Sequence, residues 1–534
     1  SVEHNIGFAS DPVPAAPTLA LGATGGAVGD TVSLSGIHWN ANAWFGSSTT
    51  PTNPGETPLT VELCTSALTV CTPAAADAAV AITRYQTSAT NTTFPPPIGA
   101  TFSGATLSGS FTIDDASGCL PDCVVRVSQA RYNYPTGGTT GTSIVATTPL
   151  TPAPYHPLAP ARLADTRPGS GQPDAGQTLA PAGTLNVQVT GAGGVPAGAT
   201  AAVLNVTATN ATAPSFFTVY PTGAGRPQAS SLNFAAGATT PNLVEVGLGQ
   251  NGQVSIFNHA GTADAIVDVE GYVAPGGEPA GRYNALSPAR ISDTRAGSGE
   301  PNAGQTLGPA GTIAVQVDGA GAVPPSGVSA VVLNVTATDT TASGFLTAYP
   351  DGTTRPLASN LNFTAGQTVP NRVIVPVGTD GKIDLYNHAG TTDAVVDVSG
   401  WYTNTTNQAA PGAEFLPSGP TRLADTRAGS GEPDTEQTLG AGQSITVPVS
   451  GTGGVPAGVT AVVLNVTVTD TTGRSYLTVY PTGQTRPLAS DLNWVAGNTR
   501  ANLAVVRPGP DGTITIYNNS SSTNVIVDVT GYYR

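Results

Sequence analysis

The chain has 534 residues, a formal net charge of −15 and only 10% charged residues, against about 25% in ordinary soluble proteins. That acidic balance argues against a nucleic-acid partner, which needs a basic stripe, and against docking on anionic membranes. No apolar run reaches the roughly 20 residues of a membrane helix, and the length predicts about three to five domains.

Methionine is absent and the chain starts at Ser1, the expected state of a secreted protein after signal-peptide removal. Residues 1–17 stand apart. Val2, His4, Ile6 and Phe8 alternate with Glu3, Asn5 and Gly7, which is strand periodicity, and Asp11-Pro12-Val13-Pro14 ends the run. This predicts a strand-like arm with Val2, Ile6 and Phe8 as its contacts, folding back on its own domain or filling a groove or sheet edge on a neighbouring copy.

Residues 18–148 form the first predicted domain. They hold all four cysteines, Cys64, Cys71, Cys119 and Cys123. An even number in local pairs predicts two short disulfides, Cys64–Cys71 and Cys119–Cys123, made in an oxidising compartment. A zinc site would need a closer pair or nearby histidines. The run Gly29-Asp30-Thr31-Val32-Ser33-Leu34-Ser35-Gly36, the two cysteine pairs and Val124-Val125-Arg126-Val127-Ser128 resemble the neocarzinostatin family of small secreted actinomycete proteins. The resemblance implies an immunoglobulin-like sandwich with those two disulfides; no cofactor is expected.

A proline-rich stretch at 147–157 predicts a stiff join, and Gly/Pro-rich segments at 274–282 and 403–413 mark two more. Between and after them one paragraph of sequence occurs three times, at 155–274, 283–403 and 415–534. Its leading arginine falls at Arg162, Arg290 and Arg422. A period that long is a whole domain and not one rung of a solenoid. Each copy runs from Arg-Leu/Ile-x-Asp-Thr-Arg through Leu-Asn-Val-Thr to Val-Asp-Val-x-Gly. Short Val/Thr/Ile/Tyr/Phe segments punctuated by Gly and Pro predict β-strands with almost no helix. Asn251-Gly252, Asp380-Gly381 and Asp511-Gly512 read as hairpin turns. The expected architecture is all-β: four tandem β-sandwich domains, one immunoglobulin-like and three homologous repeats. The repeated pattern resembles a module of secreted actinobacterial surface proteins, which implies a surface location and no defined activity.

The Asp-Thr-Arg motif gives the candidate site residues Asp165, Arg167, Asp293, Arg295, Asp425 and Arg427. Carboxylate, hydroxyl and guanidinium on one turn suit a sugar or a peptide carboxylate. In a chain so poor in charge, the same residues suit buried ion pairs that pin each repeat. Asp268, Asp397 and Asp528 are candidates to face the arginines, or to lie on a solvent face. Asn205, Asn334 and Asn465 begin Asn-Val-Thr sequons, but their apolar surroundings predict strands. No nucleophile elbow, zinc-protease helix or phosphate loop occurs, and no calcium-loop spacing. Of the equivalent residues His259, His388 and Asn519, the third is not a histidine, so a catalytic histidine would serve two copies only. The expectation is a non-enzymatic extracellular structural protein without metal or cofactor, self-associating into a surface fibre or layer. The alternative is a multivalent cell-wall or carbohydrate binder.

Overall fold

The computed structural model describes residues 153–275, 280–407 and 412–534 in full, and the backbone of eight strands before them. The chain is all-β, as the sequence predicts; one 3-10 turn, Gln250–Gly252, is the sole helical segment among the described residues. It divides into two compact units, Ser1–Pro152 and Ala153–Arg534. Val2, Ile6, Phe8 and Cys119 lie outside the described residues.

The first unit contains β1 (Thr18–Leu21), β2 (Thr31–Trp39), β3 (Leu59–Thr65), β4 (Cys71–Pro73), β5 (Ala81–Thr83), β6 (Ala105–Thr112), β7 (Cys123–Asn133) and β8 (Gly138–Pro149). They form two antiparallel sheets, ordered β1-β2-β6-β5 and β4-β3-β7-β8. Cys64 and Cys71 are register partners across β3 and β4.

In the second unit, the first copy contains β9 (Tyr155–Asp165), β10 (Thr184–Gln188), β11 (Ala201–Thr209), β12 (Ser215–Pro221), β13 (Leu232–Phe234), β14 (Thr240–Gly247), β15 (Gln253–Asn258) and β16 (Asp264–Val273). Its inner sheet is ordered β14-β11-β16-β9 and its outer sheet β10-β15-β12-β13. Counted within the copy, these orders are 6-3-8-1 and 2-7-4-5, the order of an eight-stranded jelly roll. The other two copies repeat both. Asn251-Gly252 does not close a hairpin, because β14 and β15 belong to opposite sheets. Asn251 and Gly252 both have positive φ, and the turn carries the chain from one sheet to the other.

Each copy closes its own core between its two sheets, around Leu204, Val206, Phe217 and Ile256 in the first, with equivalents in the other two. A fourth core joins the three inner sheets. Tyr155, Val203, Leu243 and Val273 meet Tyr283, Val332, Ile374 and Tyr402, and Phe415, Val463, Leu503 and Tyr533. The copies therefore form one body around a common pseudo-threefold axis. This is why β11 is buried at all nine positions, where an antiparallel sheet with one wet face would alternate. The axis is filled by side chains.

The Val-Asp-Val-x-Gly signature builds this junction. The register slips between Val203 and Leu204 opposite Gly271 and Val269, which makes Glu270 the extra residue of a β-bulge, a device that re-aims a side chain. Ser399 and Thr530 hold the same place. The glycine that follows leaves room for an aromatic ring: a methyl group on Gly271, Gly400 or Gly531 would overlap Tyr155, Tyr283 or Phe415. Gly400→Ala should therefore destabilise the second unit by about 1–3 kcal/mol through overpacking, read as a lower urea midpoint; an unchanged midpoint would show that the ring can move away.

Candidate functional site

The sequence-derived motif residues converge in every copy. Asp165 ends β9 and Thr166 follows it, and Asp268 lies on β16 beside the strand. Arg162 bridges both carboxylates. Its Nε donates to Asp268 Oδ1 at 2.5 Å, Nη2 to Asp268 Oδ2 at 3.2 Å and Nη1 to Asp165 Oδ2 at 3.1 Å. Arg167 turns back on Asp165, with Nε to Oδ1 at 2.9 Å and Nη2 to Oδ2 at 2.6 Å. Asp293 with Arg290, Arg295 and Asp397 repeats the arrangement, as does Asp425 with Arg422, Arg427 and Asp528. Burial acts to raise the Asp165, Asp293 and Asp425 carboxyls, but the bonds from Arg167, Arg295 and Arg427 outweigh it and hold them below the usual range. Burial raises Asp268, against the Arg162 bonds. The carboxylates are spent on protein guanidinium groups. Arg167, Arg295 and Arg427 keep 45% of their side chains exposed. In the third copy a cleft of about 350 Å³ lies over the motif, where Gln228 of the first copy meets Arg422.

The axis holds polar chemistry that the motifs did not announce. Asn205, Asn334 and Asn465 lie within strands, buried, and each donates into the next copy, to the carbonyls of Ser359, Ser490 and Ser230 at 2.6–2.7 Å. Asn371, Asn502 and Asn242 donate back to them, to Asn205, Asn334 and Asn465, at 2.9–3.0 Å. The second set accepts backbone N–H bonds from Leu243, Arg372 and Leu503 across the same junctions. Three amide pairs, one at each junction, thus tie every copy to the next and the third back to the first, closing the copies into a ring.

Around this ring the copies differ. Arg372 occupies the place of Leu243 and Leu503, and Glu245 the place of Ile374 and Val505. Arg372 is 2% exposed and bonds Asp491 Oδ1 of the third copy at 2.6 Å, Leu503 O at 3.1 Å and Ser399 Oγ at 3.1 Å. Glu270 Oε1 accepts from Asn360 of the second copy at 2.7 Å. Glu245 Oε2 accepts from Tyr533 at 2.9 Å, and the Tyr533 hydroxyl also meets that of Tyr402. Burial pushes Glu245 up to about 7, with the Tyr533 bond and the Arg372 charge opposing it. Burial pushes Glu270 up to about 8, opposed by the bonds from Ile374 and Asn360 and assisted by the Asp268 charge.

Two predictions follow from these pairs. Arg372→Leu leaves the Asp491 carboxylate buried without its cation and should cost about 3–5 kcal/mol. Adding Asp491→Asn, the residue type at the equivalent Asn360, should restore most of it in a double-mutant unfolding cycle; additive losses would refute the pairing. The second concerns pH. Glu245 and Glu270 hold their protons more tightly folded than unfolded, so their contribution is complete below pH 4.5 and declines as pH rises towards 7 and 8. The loss reaches about 3 kcal/mol for Glu245 alone. The lowered Asp165, Asp293 and Asp425 have the opposite sign and lose stability as pH falls through and below 3.8. Thermal midpoints should peak between pH 3.8 and 4.5, and Glu245→Gln should flatten the alkaline descent.

Among the described residues no group of three His, Cys, Asp or Glu side chains converges as a metal site. No known family and no curated protein matches the chain. Among solved structures, one similar chain is from "The Triple Jelly Roll Fold and Turret Assembly in an Archaeal Virus", with 10% identity and a TM-score of 0.14 over 77% of this chain and 89% of that one. Another is from "Life in the extremes: atomic structure of Sulfolobus Turreted Icosahedral Virus", with 11% identity and a TM-score of 0.13 over 77% and 91%. Both scores are too low to establish a common fold.

Proposed function

We propose that this chain is a non-enzymatic, extracellular structural protein that builds a surface fibre or layer, with residues 153–534 as a preassembled threefold block. The observation that carries the reading is the closed ring. Each copy gives one face to the next and takes one from the previous, and the third returns to the first. A head-to-tail interface that closes makes a ring and cannot also grow a filament. Growth then falls to the outward surfaces, the first unit and the arm of residues 1–17.

The first unit fits a linker or docking domain. Its sheet orders correspond to strands A-B-E-D and C′-C-F-G of an immunoglobulin-like sandwich, which supports the neocarzinostatin-like reading; Cys64–Cys71 and Cys119–Cys123 are its proposed disulfides. Four tandem β-sandwiches, secretion and kinship with actinobacterial surface modules complete the proposal. The internal pairing of every Asp-Thr-Arg carboxylate supports a structural use of that motif over a threefold ligand cradle.

Electron microscopy of the full chain, beside a chain lacking residues 1–12, tests assembly. The full chain should form polymers or sheets. The shortened one should stay as single particles with an unchanged thermal midpoint. A full chain that remains monodisperse at milligram concentrations would overturn the assembly reading, and polymers from both would remove the arm from it.

A further inference from the structure

The third copy departs from the other two at one surface site. In the first two copies an aromatic ring on the fourth strand is capped by a histidine: Phe216 stacks on His259 at 4.6 Å and Phe345 on His388 at 4.4 Å, nearly parallel. In the third copy the ring is Tyr476 and the cap is replaced by the exposed Asn519. Among the described residues Tyr476 has no ring partner and its hydroxyl no hydrogen bond. A cleft of about 430 Å³ opens there, within the range of about 300–1,000 Å³ for small-molecule sites. Tyr476, Trp494, Arg474, Arg500 and Asn498 line it from the third copy, and Gln367 from the second.

Several polar groups of this cleft are donors without acceptors. Trp494 is 3% exposed, yet its indole N–H has no partner. Among the described residues, Arg474 and Arg500 are the arginines whose guanidinium groups make no ion pair, hydrogen bond or ring contact. Burial lowers Arg500 to about 10, the cost of an uncompensated cation. The side-chain oxygens of Asn498, Asn493 and Gln367 are taken up by their own loops, which leaves their NH2 groups unpaired. No Asp or Glu lines the cleft, in a chain of net charge −15. Arg500 replaces Thr240 and Val369, and Arg474 replaces Pro214 and Ser343, so the other copies lack the site.

We infer that this cleft binds an acidic saccharide, whose ring lies against Tyr476, whose carboxylate pairs with Arg474 and Arg500, and whose hydroxyls accept from the amides. An aromatic face beside planar donors suits a sugar ring, and guanidinium suits a carboxylate. The site is single, so it does not depend on repeat avidity, and it is independent of the assembly reading.

The test is calorimetric titration of the full chain with a glucuronate–N-acetylglucosamine disaccharide, and with neutral di-N-acetylchitobiose for comparison. Saturable binding of the acidic sugar, at least tenfold tighter than the neutral one, is expected. Arg500→Gln and Arg474→Gln should each weaken it tenfold or more, at unchanged thermal midpoint. Asn519→His, at an exposed position, should restore the cap of the other copies and abolish binding, while His259→Asn, at the equivalent exposed position of the first copy, should leave it intact. No saturable binding, equal affinity for both sugars, or no effect of the arginine substitutions overturns the proposal. Inorganic sulfate or a short peptide carboxylate that binds as tightly as the disaccharide overturns the saccharide assignment.

Discussion

A sheet buried on both faces leaves no water for its polar side chains, and the inner sheets of residues 153–534 are such sheets. Most of their backbone groups are met within the ladder; their side chains, and the edge N–H groups of Leu243, Arg372 and Leu503, must be met by another copy. An unpaired buried amide costs about 1–3 kcal/mol, so the six axial asparagines are tolerable only where the ring closes. Apolar contact alone would allow the copies to slide or rotate; the amide ring admits one register. The aromatic layer over the bulge glycines then seals the end of the axis where the joins between copies converge. There Tyr155 donates its backbone N–H to Gly281, Tyr283 to Ala413, and Glu414 exchanges backbone bonds with Arg534.

The charged exceptions serve a different purpose. A symmetric block would have three interchangeable junctions. Here the first and second copies meet through Glu270 and Asn360, the second and third through Arg372 and Asp491, and the third and first through Tyr533 and Glu245. Replacing such pairs by apolar residues would often be neutral or stabilising. What they supply is discrimination: a copy placed at the wrong junction would leave Arg372 or Asp491 buried alone. Within one chain, where the three copies share an inner-sheet pattern, that penalty fixes which edge meets which.

The triplication, the β content and the residues of the Asp–Arg clusters were legible in the sequence, because each depends on local pattern. Arg162 and Asp268 are 106 positions apart, yet the scarcity of charge made a pairing of motif aspartates and arginines a natural expectation. The joint core was not legible. Asn205 and Thr207 look like the wet half of an alternating strand, and only the presence of another copy on that face makes them interior. The Asn-Gly and Asp-Gly steps carried a true turn signal but a wrong destination, since turn chemistry specifies a reversal and not which sheet receives the next strand. The open Tyr476 ring was visible as the substitution of Asn519 for histidine, but its meaning required the neighbouring copy that completes the cleft.

Closure and divergence together explain how a repeated chain carries non-repeated functions. Once the copies are locked into a ring, each needs to preserve only its inner sheet and its Arg–Asp–Asp–Arg cluster. Its outer sheet and loops are free to differ. The outer loops retain one common device, an arginine over an aromatic ring, in Arg226 on Phe257, Arg355 on Tyr386 and Arg486 on Tyr517, which holds the loop after the fourth strand. Beyond it the copies separate: two keep capped rings and one exposes a donor-lined cleft. A ring of independent beads on flexible joins would have to stabilise each bead alone. Shared burial at the axis instead lets one copy carry an unpaired, half-buried arginine such as Arg500, whose desolvation the other two copies help to offset.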